Sequence, residues 1–314
     1  MLSRRHIRIK VMQVLYAFRG TESDDFSKDQ RFLLNSIDNM YNLYLLMLSL
    51  MIEVQKRAEN HLEKTSQKHL ATAEEKNPNR KFVNNQVLDM LKNNEQLQAK
   101  FEENHINNWE LDSEYVDVIF KELLASDIYK EYLETDTTNF NTDRNFIVDV
   151  FKEIIAPNEK LYNYLEDKHL TWLDDLPTVN TTILKLLRKV KKDASAFHFL
   201  PKLYKDLEDK EFAIKLFKKT LLNQTALTAE VSKKTTNWDS DRIASIDLML
   251  LKMGICEIQS FPSIPTKVTI NEYLEISKEY STPKSSVFIN GILDKLTKEY
   301  QTEGKLNKIG RGLM

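Results

Sequence analysis

Glycine and proline are scarce in this chain, six and seven among 314 residues. Glycine supplies the turns that hairpins and phosphate-cradling loops need, so this scarcity argues against an all-β or a glycine-looped α/β fold. No Walker loop, dinucleotide fingerprint or G-x-S-x-G nucleophile turn is present. C-x-x-C and H-E-x-x-H are missing too. Cys256, the single cysteine, lies in the apolar stretch GICEI; it excludes an internal disulfide and reads as a buried thiol in a reducing compartment. His61 and His69 have no third ligand near them in sequence, so they do not make a metal site. Acidic pairs such as Asp174–Asp175 read as loop or helix-start acids rather than a tuned dyad. No catalytic group, metal or cofactor is expected.

Long apolar runs are also lacking. The longest, Met40–Ile52, is broken by Asn42 and Ser49 and falls short of the roughly 20 residues that cross a bilayer, so it reads as a buried helix. The basic N-terminus lacks the uninterrupted apolar core of a secretory signal; an arginine-rich transit peptide is a closer mimic. A cytoplasmic protein with no membrane segment is expected. Net charge is −2, which excludes a protein that coats nucleic acid indiscriminately but permits a local basic patch.

Helical periodicity is what remains. From about Ser240 to Gln259, Ile243, Ile246, Leu250, Met253 and Ile258 recur at helical spacing until Pro262 and Pro265 end the run. A second helix is predicted from about Thr266 to Tyr280. A third is predicted with Thr282 as N-cap and Pro283 at its first position, carrying Phe288, Ile292 and Leu296 on one face. At the other end, Ser3 can cap a helix whose stripe is Ile7, Val11, Val14, Leu15 and Phe18. Arg4, Arg5, His6, Arg8 and Lys10 crowd its first turns. Cations at that end oppose the helix dipole by about 0.3–1 kcal/mol each, so a compensating anion is expected there. A solvated basic terminus is the alternative. Finally, an offset of 66 lays Asp143, Phe146, Phe151, Lys152, Leu161, Lys168, Trp172, Asp175 and Leu184 on Asp209, Phe212, Phe217, Lys218, Leu227, Lys234, Trp238, Asp241 and Leu250. Either a helical unit is duplicated, or amphipathic helices recur with similar faces.

DRIASIDLMLLKMGICEI, then PTKVTINEYLEISKEY and FINGILDKL, resemble the C-terminal signature of the NusB family of bacterial transcription antitermination factors. RRHIRIKVMQVLYAF resembles that family's arginine-rich first helix. The resemblance covers the first twenty residues and roughly the last hundred. It implies an all-α bundle of NusB type, enlarged by additional helices. The expected organisation is a first helix over 1–20, a helical middle segment over 21–202 that holds the candidate duplication, a NusB-like bundle over 203–302, and a flexible tail over 303–314.

The resemblance also implies a non-enzymatic factor that binds boxA-like single-stranded RNA together with the ribosomal protein NusE. It would act through the RNA polymerase elongation complex on ribosomal RNA operons. By position it implies RNA contacts from Arg4, Arg5, Arg8, Lys284, Ser285, Ser286 and Phe288, and contacts to NusE from Tyr16 and Asp247. Phe288 and Tyr16 can equally be core residues, and Asp247 a solvated edge. Lys284 stands where family members often carry an acid. The other readings are a protein-only helical scaffold and the RNA-targeting domain of an rRNA methyltransferase, although no cofactor-binding domain accompanies it here.

Overall fold

The computed structural model describes residues 1–19, 26–70, 72–235 and 243–313. Among the described residues every regular element is helical, so the fold is all-α. In chain order the α-helices are α1 (Arg4–Ala17), α2 (Phe26–Ser66), α3 (Ala73–Lys76), α4 (Gln86–Lys92), α5 (Glu95–Glu103), α6 (Asn108–Leu111), α7 (Ser113–Ala125) and α8 (Asp127–Glu134). There follow α9 (Phe140–Val150), continued by a π-helical turn at Phe151–Ile155, then α10 (Glu159–Lys168) and α11 (Trp172–Lys189). The remainder are α12 (Leu207–Leu222), α13 (Gln224–Ser232), α14 (Ser245–Ser260), α15 (Thr266–Tyr280) and α16 (Ser285–Thr302). Two compact units result, one built mainly of residues 38–203 and one of residues 2–37 together with 204–314.

The 38–203 unit is organised by the apolar part of α2. Leu43, Leu45, Leu46, Leu48 and Leu50 are fully buried, as a run that is apolar on every face requires. Polar side chains tie other segments to this helix: the Trp109 indole donates to the Leu46 carbonyl, and Gln55 donates to the Val83 carbonyl. Around α9, the Tyr132 ring stacks on Phe146 with centroids 3.8 Å apart, while its hydroxyl donates to the buried Asp143 carboxylate.

In the other unit α14 is the central element, packed by α1, α12, α13, α15 and α16. Residues 249–251 and 253–258 of α14 are all buried. Gly254 lets the neighbours close in, since a Cβ there would stand 3.0 Å from the Leu293 side chain. Residues 303–313, expected to fray, are instead pinned to the loop after α14. Lys308 Nζ donates to the carbonyls of Phe261 and Ile264, and a 3₁₀ turn over Gly310–Leu313 brings Gly312 so near the Pro262 carbonyl that any side chain would collide with it.

The helix order α9–α10–α11 is matched by α12–α13–α14, and the offset of 66 lays buried residues on buried residues. Asp143, Phe146, Phe151 and Leu161 correspond to Asp209, Phe212, Phe217 and Leu227. Trp238 and Asp241, the expected counterparts of Trp172 and Asp175, lie outside the described residues, as does Ser240 at the expected start of the α14 helix.

Candidate nucleic-acid interface

Ser3 caps α1 as its sequence suggests. Its Oγ accepts from the His6 amide, and the His6 ring returns to the Ser3 amide in a capping box. The next turns present Arg4, Arg5 and Arg8 towards α12, α14 and α15, and each guanidinium meets an acid of the same unit. Arg4 Nε donates to Asp209 at 2.9 Å, with Glu208 at 3.5 Å from its Nη2. Arg5 grips Glu272 with two bonds of 3.0 and 2.9 Å. Arg8 grips Glu257 with two bonds of 2.8 and 2.6 Å, and its Nη1 lies 3.6 Å from Glu272.

These pairs differ in what they leave accessible. The Arg4 and Arg5 side chains keep 38% and 40% of their surface in solvent, whereas Arg8 keeps 2% and Glu257 none. Glu257 also accepts from Thr269 Oγ1 at 2.8 Å and from the Tyr273 hydroxyl at 3.1 Å, so four donors saturate its carboxylate. Burial alone would lower the Arg8 pKa. The charge and hydrogen bonds of Glu257 outweigh it and raise the value, fixing the guanidinium as a cation. Its faces lie over Phe212 and Tyr273. Arg8 is therefore a structural ion, closed to a phosphate, and this corrects its placing among the exposed contacts. At the rim, the hydrogen bond from Arg5 holds Glu272 below the ordinary glutamate range, and burial followed by the Arg5 charge lowers the His6 pKa. Arg4, Arg5, His6, Ile264, Pro265 and Val268 border a cleft of about 710 Å³.

The second predicted group gathers at the start of α16. Thr282 and Pro283 precede the helix in a turn, and α16 begins at Ser285, two residues later than Thr282 as an N-cap would give. The Thr282 hydroxyl is bonded to Ser285 Oγ at 2.8 Å instead of capping an amide, and Asp247 of α14 reaches across to this end: its Oδ1 accepts from Ser281 Oγ at 2.6 Å and its Oδ2 from Ser285 Oγ at 2.7 Å. Asp247 is 6% exposed and engaged through both oxygens, so it anchors α16 rather than offering a surface charge to a partner. Ser285 is buried by the same contact. Lys284 is exposed, Ser286 and Phe288 are half-buried, and Lys284 and Phe288 border a small cleft of about 250 Å³ with Ile243, Ala244 and Thr282. No residue lines both this cleft and the arginine cleft. Tyr16 is 42% exposed beneath the Arg19 guanidinium.

Sequence reasoning missed the acids that receive the arginines. A lone glutamate inside the apolar ICEI, Glu257, was the available signal: a charge there must be paired.

The protein is an all-helical one whose first helix is tied by ion pairs to a bundle formed by its C-terminal third. The NusB family model matches residues 181–298. A transcription antitermination protein NusB of Salinibacter ruber is 40% identical over 112 residues, 36% of this chain and 70% of that protein. Its namesake in Chloroherpeton thalassium is 39% identical over 129 residues, 41% of this chain and 61% of the relative. Among solved structures, T. maritima NusB is 29% identical with a TM-score of 0.31, covering 38% of this chain and 84% of its own. The chain belongs to the NusB family.

Proposed function

We infer that this protein is a non-enzymatic, cytoplasmic transcription antitermination factor. It binds boxA-like single-stranded RNA together with NusE and acts through the RNA polymerase elongation complex on ribosomal RNA operons. The family match over residues 181–298 carries the reading. The residues left to meet RNA are Arg4 and Arg5 on one cleft, and Lys284, Ser286 and Phe288 by the other; Arg8 and Ser285 support them from within. Cations can follow a phosphate backbone and the Phe288 edge can meet a base. Tyr16 remains as a contact to NusE. Of the expected middle segment 21–202, the part before the family match at residue 181 is taken as an added helical region holding most of a copy of the α12–α14 arrangement.

A protein-only scaffold draws on one observation, that each arginine of α1 has an acid partner. Salt dependence separates the two. Three exposed cations, Arg4, Arg5 and Lys284, predict a log–log slope for single-stranded RNA of roughly −2. Titrating a boxA RNA and a scrambled control, with and without NusE, should give tighter boxA binding in the presence of NusE. Arg4→Ala with Arg5→Ala should weaken it and flatten the slope. Equal affinity for both RNAs, unchanged by the double substitution, would leave the scaffold reading standing.

A further inference from the structure

Arg5 and Glu272 meet as a guanidinium and an oxyanion do when the fit is two-pronged, through Nε and Nη2 on two carboxylate oxygens. The same fork fits a phosphate. The pair lies at a cleft, with Arg5 40% and Glu272 22% exposed, so solvent and ligands reach it. The adjoining wall is apolar: Pro265 and Val268, with Val268 46% exposed, backed by the buried Ile264. An anion-holding fork beside an apolar wall has the two surfaces of a single-stranded nucleotide, a phosphate and a base face.

We propose that Glu272 holds the place of an RNA phosphate in the free protein, and that RNA binds here by exchange. A phosphate takes the Arg5 fork and the neighbouring base lies on the wall of Pro265 and Val268. This rests on the RNA-binding reading above and assigns Glu272 the role of a specificity residue.

Exchange is feasible because Glu272 has a second cation in reach. Arg8 Nη1 stands 3.6 Å from its Oε2, and Arg8 itself is fixed by Glu257. When Arg5 turns to a phosphate, Glu272 keeps a cationic neighbour, so no half-buried carboxylate is stranded. A ligand offering charge alone must compete with an intramolecular carboxylate already in place. One that also fills the apolar wall gains contacts Glu272 does not supply. The acid thereby raises the threshold against indiscriminate polyanions, in keeping with the near-neutral charge of the chain.

The test uses the full chain and a fluorescent single-stranded boxA-like RNA at several salt concentrations. Glu272→Gln, which cannot hold Arg5 as an anion does, should bind about two- to fivefold tighter than the unaltered protein. Its salt slope should stay near that of the unaltered protein, because Arg5 holds the same phosphate in both complexes and only the competing carboxylate is gone. Glu275→Gln removes the same charge one turn along α15, where Glu275 is paired with Lys278, and should change affinity less. Equal tightening by both variants would reduce the effect to net charge and overturn the exchange.

In the unaltered protein, adding RNA should raise carbodiimide labelling of Glu272; unchanged or reduced labelling overturns the proposal even if Glu272→Gln does not fold. If Arg5→Ala weakens RNA binding while Glu272→Gln leaves it unaltered, the exchange falls and the RNA-binding reading stays. If RNA does not bind, or polyglutamate binds in its stead, both fall.

Discussion

An arginine taken out of water without a partner would destabilise the fold by several kcal/mol, and Arg8 is 2% exposed. Its tolerance depends on Glu257, and theirs is a mutual dependence: removing either leaves the other charged and buried. Glu257→Gln or Arg8→Ala should lower unfolding stability by about 3–5 kcal/mol in urea titrations. Replacing both with methionine should recover most of that loss, since an apolar pair of similar volume avoids the desolvation of both ions. A double replacement no better than the single ones would show that the pair contributes more than mutual neutralisation. The Ser3 cap, the apolar stripe of α1 and the buried Cys256 were legible from local pattern alone. The partners of the arginines were not, because Asp209, Glu257 and Glu272 lie 205, 249 and 267 residues away along the chain from the side chains they meet. Local pattern registers a surplus of cations; it does not register where the anions fold back.

Helices repeat the lesson at their ends. Thr282 and Pro283 carry a helix-start signature, yet α16 begins at Ser285 with no side chain capping its amides: the Thr282 hydroxyl bonds the Ser285 hydroxyl, and Asp247 of α14 accepts from the Ser281 and Ser285 hydroxyls. Tertiary reach overrides a local signal there. Asp247→Ala would leave Ser281 and Ser285 without their charged acceptor. It should cost about 1–3 kcal/mol and raise amide exchange selectively over the first turn of α16. Uniform faster exchange along α16 would instead mean that Asp247 supports the whole helix. The tail shows the opposite case: glycines and lysines read as a fraying end, while Lys308 satisfies two carbonyls at the close of α14.

Two compact units divide the molecule, and the all-α class followed from composition because a chain with so little glycine has few ways to turn. The 38–203 unit has its own core along α2, with fully buried leucines and the Phe82, Tyr129, Tyr132 and Phe146 cluster. A fragment of residues 38–203 should therefore retain a helical circular-dichroism spectrum and unfold cooperatively, without affinity for boxA RNA. Loss of helicity in isolation would make the two units one folding system. The pinned tail bears on how such work is done. A purification tag fused after Met314 would hang from a turn wedged against Pro262, beside the wall of the arginine cleft, and one fused before Met1 would begin a few residues from Arg4. Either could alter the affinity it was added to help measure. A dye on Leu222→Cys, exposed in the same unit and lining neither cleft, would report binding, and the buried native thiol would leave that label unambiguous.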